Sequence, residues 1–419
     1  MKKIYSVIIG AALATSNASF ADVFTVGDLQ YTTLDESTCQ LTKSFAGAID
    51  LVIPSKVTDE ATSKEYTVVS IKYGVFRSST ITSCVVPGTI LKPGPNLFNM
   101  CSSLKSATFE EGVEELGYNS FPMCTQLTTV NLPSSLKVLG GEDALGFSEG
   151  SAFEGCTAIT SLKIPSGITE IPEKTFNGCT ALASVTFEGK ILKIGRNAFN
   201  NCTVLATDLA FPEITSLGVN AFGYCSSITK ISLGGTLEAI SNEAFYGCSK
   251  LEQISLGEGI KTIGSYAFNG CGALKSISFP ASVTEVGSEA FKDCGGLTSV
   301  SCMSEVPPTA YANTFPSAVY SSAILSVPTE SDAAYGNAEG WKLFENRVGL
   351  STGVDQISVA SVSVKTVPGT IVIEGTEDVA EVYTLSGQMM TRTSSREISL
   401  PAGIYILRIG GETFKTIVR

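Results

Sequence analysis

The stretch FYGCSKLEQISLGEGIKTIGSYAFNGC, residues 245–271, is the unit that most of this chain repeats. Counted from Cys248 as position 0, apolar residues stand at +3, +6, +8, +12 and +15, and an Ala-Phe pair leads into Cys271 at +23. Cysteines recur in this frame at 101, 124, 156, 179, 202, 225, 248, 271 and 294, each preceded three positions earlier by phenylalanine. Every step between them equals +23 except the longer one from Cys124 to Cys156, and such a constant period is the signature of a repeat protein.

The length of the period predicts the fold. It lies within the range of leucine-rich repeats, in which one coil contributes a short strand and cannot bury its apolar face alone. Equivalent strands are expected to stack about 4.8 Å apart as a parallel β-sheet on the concave face, with the phenylalanines filling the convex half of the core. We therefore predict a repeat solenoid, a leucine-rich repeat array of 23-residue coils, plus a small all-β sandwich as the C-terminal domain.

Composition narrows the function classes. Of the 419 residues only 16% are charged, and histidine is absent. The lack of histidine removes Ser-His and Cys-His catalysis and every histidine metal site. We expect no enzyme activity and no cofactor.

The first 21 residues, MKKIYSVIIGAALATSNASFA, predict a signal peptide cleaved after Ala21, because two lysines precede an apolar run and small residues. The protein is then exported, to the cell surface or the extracellular space. No later stretch approaches the roughly 18 apolar residues of a spanning helix, so no transmembrane segment is expected. The mature chain would have 26 basic and 40 acidic residues, and this excess of acids argues against binding to nucleic acid.

Four regions follow along the chain: the signal peptide, an N-terminal cap at 22–75, the solenoid with a C-terminal cap at 76–348, and a β-sandwich domain at 349–419. In the N-terminal cap, FTVGDLQYTTL predicts a strand, and a later hairpin is expected to cover the open end of the core. In the C-terminal cap, a short helix should lay Tyr335, Trp341 and Phe344 over the last coil. A role of Trp341 in stacking on a ligand is the alternative.

Two irregularities interrupt the array. A nine-residue excess within residues 140–152 predicts a surface loop, which is either a tolerated excursion or a functional loop. In the coil after Cys202, Asp208 takes the +6 core position, and the apolar pattern moves to Leu209 and Phe211. We expect a local bulge that turns Asp208 outward.

The nine regularly spaced cysteines are predicted to be free, buried residues. One cysteine per coil makes a line, whereas tetrahedral zinc needs four ligands that converge on a point. Disulfides between neighbouring coils are disfavoured because stacked equivalent residues point their Cβ atoms in parallel. Cys84 and Cys302 replace apolar strand positions, and Cys39 lies outside the frame with its pairing left open.

Side chains at +5 and +7 should face outward from the strands, and most are Ser or Thr, as far as Ser299 and Ser301 in the last coil. The candidate binding residues on this face are Thr129, Asn131, Lys163, Thr186, Lys230 and Gln253. Plain strand filler is the equally weighted alternative. The paired carboxylates of a glycosidase are available at Glu114–Glu115 and Glu142–Asp143, but each pair is adjacent in sequence on a polar turn.

The repeated frame AFxxCxxLxxIxLPxxIxxIG resembles the BspA-like leucine-rich repeats of bacterial surface proteins, over roughly residues 49 to 344. This resemblance implies a surface adhesin or a scaffold that binds an extracellular or host protein, without naming the ligand. The alternatives are a structural or self-associating envelope protein and a glycan-binding surface protein. The tail, with VYTLSGQ from Val382, LPAGIYILRI from Leu400 and the final Lys415 to Arg419, resembles the C-terminal sorting domain of type IX secretion substrates. That likeness implies recognition by secretion machinery and removal of the tail.

Overall fold

The computed structural model describes residues 21–45, 47, 50–141, 150–234, 236–350, 357–359, 362–367, 369–376, 378–384, 389–400, 403–409 and 412–418. The signal peptide up to residue 20 and most of the predicted loop, residues 142–149, lie outside these ranges. The chain divides into two units, one ending at Lys190 and one beginning at Ile191.

The first unit begins with a mostly antiparallel sheet in the order β1-β2-β3-β6-β5. The predicted single strand FTVGDLQYTTL is wrong, because the segment is a hairpin of two strands. Gly27, with φ +57°, allows the tight turn between them. The predicted later hairpin is present as β5 and β6. The strands of this region are β1 Val23–Val26, β2 Leu29–Thr33, β3 Thr38–Ser44, β4 Asp50–Val52, β5 Lys56–Asp59 and β6 Lys64–Ile71.

The rest of the first unit consists of coils, each with an outward-facing strand, and from β9 onward the coils also have a second short strand that belongs to a separate sheet. The parallel sheet β10-β8-β7-β4 pairs equivalent residues of successive coils, such as Thr129 with Ser106. The strand β4 shows that the predicted cap also contributes to the repeat sheet. The strands are β7 Ser83–Val86, β8 Ser106–Phe109, β9 Glu115–Gly117, β10 Thr129–Asn131, β11 Val138–Gly141, β12 Ser161–Ile164, β13 Glu170–Ile171 and β14 Ser184–Phe187.

The second unit continues the same pattern, with parallel sheets β16-β18-β20, β19-β21-β23 and β22-β24-β25-β26. Asp208 is exposed, so its predicted outward orientation is confirmed. The predicted bulge is not part of the β16–β18 pairing, which is continuous, with Leu209 opposite Ile231, one position short of the regular repeat. The strands and helices of these coils are β15 Lys193–Ile194, β16 Leu209–Phe211, β17 Ser216–Leu217, β18 Lys230–Leu233, β19 Ala239–Ile240, β20 Gln253–Ser255, β21 Thr262–Ile263, β22 Ser276–Phe279, β23 Glu285–Val286, β24 Ser299–Cys302, α1 Ser317–Ser322, β25 Ile324–Pro328, α2 Asp332–Tyr335 and β26 Asn346–Leu350, with 3₁₀ turns at Thr329–Ser331 and Trp341–Leu343.

The phenylalanines form a stacked ladder in the core of each unit. In the second unit, Phe222 is fully buried between Phe199 and Phe245, with ring centroids 5.1 and 5.7 Å away and planes within 4° of parallel. In the first unit, Phe121 and Phe153 stack at 5.1 Å, although the long step of the frame lies between them. The excess residues of the long coil therefore do not interrupt the ladder, and the predicted role of the phenylalanines is confirmed.

The cysteines are buried and form no disulfide among the described residues, and eight of the repeat cysteines make a hydrogen bond that the sequence did not indicate. The thiol of Cys248 donates to the backbone oxygen of Phe222 in the preceding coil, at 3.1 Å. The same oxygen accepts the backbone N–H of Cys225. Equivalent bonds start from Cys101, Cys124, Cys156, Cys179, Cys225, Cys271 and Cys294, at 2.8 to 3.3 Å.

Each coil turns back through two residues with positive φ, five positions and one position before its cysteine. Only glycine and, to a lesser degree, asparagine adopt this left-handed conformation without strain. The earlier position holds Asn96, Asn119, Ser151, Lys174, Asn197, Asn220, Glu243, Tyr266 and Glu289. The later position holds Met100, Met123, Gly155, Gly178, Asn201, Tyr224, Gly247, Gly270 and Asp293.

The C-terminal end of the coils contains the predicted aromatic cap. Trp341 is 0% exposed, donates its indole N–H to the backbone oxygen of Pro308 at 2.7 Å, and meets Tyr335 edge to face. The alternative in which Trp341 stacks on a ligand is therefore wrong. One element was missed: β26 extends the parallel sheet beside β25, so the boundary predicted at residue 348/349 falls inside a strand.

The tail folds as two four-stranded antiparallel sheets, β27-β28-β29-β32 and β31-β30-β33-β34. Their shared core is apolar, with Ile371, Val382 and Leu407 fully buried. The predicted all-β sandwich is thus confirmed. The strands are β27 Ile357–Val359, β28 Val362–Val367, β29 Thr370–Glu374, β30 Ala380–Thr384, β31 Met389–Thr393, β32 Glu397–Ser399, β33 Gly403–Ile409 and β34 Glu412–Val418.

Candidate functional site

The outward face of the strands in the first unit carries four of the six predicted binding residues, and all four are exposed: Thr129, Asn131, Lys163 and Thr186. Strand alternation explains this, because the neighbouring residues on each strand point into the core. Asn131 donates its side-chain amide to the hydroxyl of Thr108 at 3.0 Å. The face is therefore a set of short polar groups on a hydrogen-bonded backbone.

Lys163 has an ion-pair partner. Its Nζ lies 2.5 Å from a carboxylate oxygen of Glu188 just beyond the next strand. Lys163 also stands directly beside Thr186 in the β12–β14 register. Both charged groups remain substantially exposed, so the pair contributes little to stability and is available to a partner.

In the second unit, the predicted residues Lys230 and Gln253 are exposed neighbours on β18 and β20. At the end of this unit the prediction of an outward polar face is wrong for Ser301, which is only 5% exposed. In that row Ser326 is also buried, whereas Val348 is 42% exposed. Near β26 the outward positions of the second unit are therefore no longer exposed polar residues: two serines are buried and a valine is exposed.

The carboxylate pair considered for glycosidase chemistry lies on the surface. Glu114 pairs with Lys137 and Glu115 with Lys92, each at 2.7 Å. Glu142 and Asp143 lie outside the described residues. These ion pairs link neighbouring coils and form no cleft around a substrate.

A shallow, open depression of about 380 Å³ lies between β17 and β19 of the second unit, lined in part by Thr215, Ser216 and Glu238. Its carboxylate, Glu238, forms an ion pair with Lys261 at 2.7 Å. One paired carboxylate does not supply the acid and base that glycoside hydrolysis needs.

Sequence reasoning missed an exposed aromatic group on the return turns of the second unit. Tyr224 is 49% exposed, and its ring centroid lies 5.2 Å from that of Tyr246. The prediction considered only the outward +5 and +7 positions of the strands, where aromatic residues are absent. The available signal was the position of these tyrosines, just before successive repeat cysteines.

Two features are absent from the described residues. No group of three or more Cys, Asp or Glu side chains there is arranged to hold a metal ion. None of the helices in this part of the chain has the length and apolar character needed to cross a bilayer.

Three solved structures of bacterial proteins are similar to this chain. The chain is similar to a leucine-rich cell surface protein from Faecalibacterium prausnitzii (21% identity, 79% of this chain and 95% of that chain, TM-score 0.45). It is also similar to a leucine-rich repeat protein from Bacteroides ovatus (22% identity, 67% and 94%, TM-score 0.30) and to the pneumococcal vaccine antigen PcpA (16% identity, 79% and 99%, TM-score 0.40). Among curated proteins, the comparison found no match.

The family model of the BspA type leucine-rich repeat region matches residues 59–145, 148–233 and 203–318, with six copies. These ranges make up more than half of the chain and include the cysteine-phenylalanine frame. The chain belongs to the BspA-type leucine-rich repeat family.

Proposed function

We propose that this protein is an exported bacterial surface protein that acts as an adhesion or protein-binding scaffold. The observation that carries the proposal is the outward face of the parallel strands. It presents exposed Thr129 and Asn131 on the β10-β8-β7-β4 sheet and exposed Lys163 and Thr186 on the β12-β14 sheet, each sheet pairing equivalent residues of successive coils. A broad, shallow, polar surface suits a macromolecule better than a small molecule, which needs a concave site.

The experiment is a pull-down with the mature chain, residues 22–419, against extracellular matrix proteins, polysaccharides and the chain itself. Thr186→Arg places a long charged side chain on the candidate face and should abolish binding to a partner that docks there. Val138→Arg is the matched control, because Val138 is 40% exposed on β11, which pairs with β9 in a separate sheet and does not belong to the candidate face. Equal loss of binding in both variants would refute the assignment of the face.

The same pull-down distinguishes the alternatives. If the chain is captured only by other copies of itself, a structural or self-associating envelope protein would be favoured. Retention by polysaccharides alone would favour glycan binding. The outward strand positions carry no aromatic platform for a sugar, which is why we place protein binding first.

We further propose that the tail is a sorting domain that secretion machinery recognises and a protease then removes. Its compact antiparallel sheets with their own apolar core support a module that folds by itself. Removal of the tail at the boundary between the two regions should leave a surface form that ends between Val348 and Asp355. Because Asn346–Leu350 form β26, we now expect the cut after Leu350.

Deletion of residues 354–419 should leave a folded repeat array in the periplasm. Mass spectrometry of the released or surface-shaved protein tests the cut. Recovery of peptides through Arg419 at full stoichiometry would reduce the tail to an ordinary β domain.

A further inference from the structure

An exposed aromatic cluster lies on the return turns of the second unit. Tyr224 and Tyr246 belong to successive coils, and their rings meet at 64° with centroids 5.2 Å apart. The backbone N–H of Tyr224 donates to the backbone oxygen of Tyr246 at 2.6 Å, which sets the two residues side by side. We call Tyr224, Tyr246 and the neighbouring Glu243 the tyrosine cluster.

The ring of Tyr224 lies against the backbone of the next coil. A Cβ atom at Gly247 would come within 3.0 Å of its Cδ1 atom, so the ring packs on a bare glycine. One side of the ring is therefore held in place, while 49% of the residue stays exposed. A fixed, half-exposed ring loses little conformational freedom when a partner binds, which favours recognition.

A carboxylate borders the two rings. Glu243 is exposed and lies one turn before Tyr246, whose backbone N–H donates to the oxygen of Glu243. Desolvation raises the pKa of Tyr224, and so do its contact with Tyr246 and the negative charge of Glu243. The negative charge of Glu243 therefore lies close enough to the Tyr224 hydroxyl to disfavour its ionisation.

The backbone at these residues is strained. Tyr224 and Glu243 both have φ near +57°, whereas four other coils have glycine at the position of Tyr224 and four have asparagine at the position of Glu243. A bulky side chain in this conformation costs free energy, and such costs concentrate at functional sites. Met123 and Lys174, outside the cluster, have the same conformation, so the strain does not single out the cluster, but it means that glycine and asparagine fit these two positions.

The chemistry of the cluster favours a cation. The faces of both tyrosine rings and the Glu243 carboxylate are electronegative, and a cation within about 6 Å of a ring centroid is attracted to it. The two rings meet edge to face at 64°, so they do not form one flat platform for a sugar ring. The net charge of the whole chain, −12, adds long-range attraction for basic partners.

We propose that Tyr224, Tyr246 and Glu243 form a binding site for an arginine side chain of a protein partner. The planar guanidinium stacks on the ring of Tyr224 and pairs with the carboxylate of Glu243. This inference adds to the proposed function the chemistry of one contact. It rests on the proposed function, which makes the partner a protein.

The test uses the mature chain carrying 3-fluorotyrosine, with ¹⁹F NMR as the readout at pH 6.5. The probe is the capped pentapeptide Gly-Ser-Arg-Ser-Gly, compared with the same peptide containing citrulline and with maltohexaose. Tyr224→Phe and Tyr246→Phe assign the two signals and keep the ring faces. We expect both signals to shift with the arginine peptide, and to shift less as salt is raised.

The binding variants restore the residues that other coils carry, so that the fold is kept. Tyr224→Gly and Glu243→Asn should each weaken arginine-peptide binding by about two- to fivefold. Their melting temperatures should not fall, because both changes relieve strain at positive φ. Met123→Gly is the matched control, since Met123 has the same position in its coil, φ +60° and 54% exposure. Its peptide affinity should equal that of the unaltered chain.

Three results would each overturn the site. The first is equal signal shifts with the citrulline peptide and the arginine peptide, and the second is shifts with maltohexaose but not with the arginine peptide. The third is an equal loss of peptide affinity in Met123→Gly. Failure of the inference is distinguishable from failure of the proposed function. If the chain captures a partner that Tyr224→Gly still binds with full affinity, the cluster is refuted while the scaffold stands. If no protein is captured but the tyrosine signals respond to arginine alone, the site stands while the scaffold function fails.

Discussion

Replacement of Phe222 by alanine should be among the most damaging single changes in this protein. Phe222 is 0% exposed and stacks between Phe199 and Phe245 at 5.1 and 5.7 Å. Phe211 also meets its ring, at 6.1 Å. The truncation therefore removes contacts on both faces of a ring inside a continuous ladder.

The magnitude follows from this packing. Truncation of a buried phenylalanine to alanine costs about 3–5 kcal/mol. The upper part of the range applies here, because each stacked aromatic pair adds about 0.5–1.5 kcal/mol beyond area burial. For a unit of this size, each kcal/mol lowers the melting temperature by about 2–4 °C, so a loss of about 4–5 kcal/mol should lower the midpoint by about 8–20 °C.

Thermal and urea unfolding followed by circular dichroism measure the effect. Thr186→Ala and Ser255→Ala, both on exposed strand positions, are the controls and should change stability by less than about 0.5 kcal/mol. Because repeat arrays can lose cooperativity, hydrogen exchange should also show the loss centred on the coils next to Phe222. Equal melting temperatures for Phe222→Ala and the controls would refute the assignment of inward and outward positions.

Three further predictions concern the thiols and the acids. The nine repeat cysteines should react with a thiol reagent in denaturant without reductant, whereas a result with most of them blocked would contradict the parallel orientation of their Cβ atoms. Cys248→Ala should destabilise the protein by about 1–2 kcal/mol, since it removes packing and the thiol hydrogen bond to the Phe222 backbone oxygen. Cys248→Ser should cost less, because its hydroxyl can still donate to that oxygen. Hydrogen bonds from Thr38 and Ser37 lower the pKa of Asp35 to about 2, so its contribution to stability is complete above the unfolded value of 3.8 and is lost as pH falls towards 2. Melting scans from pH 6 to pH 2 should therefore show a smaller acid destabilisation in Asp35→Asn than in the unaltered chain.

Much of the fold was predictable because the same spacing of apolar residues recurs in successive coils, so each coil gives independent evidence for the same packing. The spacing of apolar residues predicted the parallel strands, and the constant Phe-Cys pair predicted a ladder that the stacked rings confirm. Even the shift at Asp208 was predictable, since alternation on a strand leaves only one way to keep Leu209 and Phe211 inside.

The errors fall where a residue's role depends on chain segments far away in sequence. The domain boundary was placed at residue 348/349 because this segment lacks the repeat frame, yet β26 spans that boundary and pairs along its whole length with β25. Ser301 was expected outside from its position in the frame, but it is buried in the last coils. Neither outcome can be deduced from a local pattern.

The candidate sites divide in the same way. The sequence by itself determined which strand side chains point outward, because the strand period of two is a local property of the backbone. Only the tertiary structure decided that Tyr224 and Tyr246, which belong to successive coils, meet ring to ring beside Glu243. Two turns become neighbours there because stacked coils bring equivalent positions about 5 Å apart, a distance that no spacing along one coil reveals.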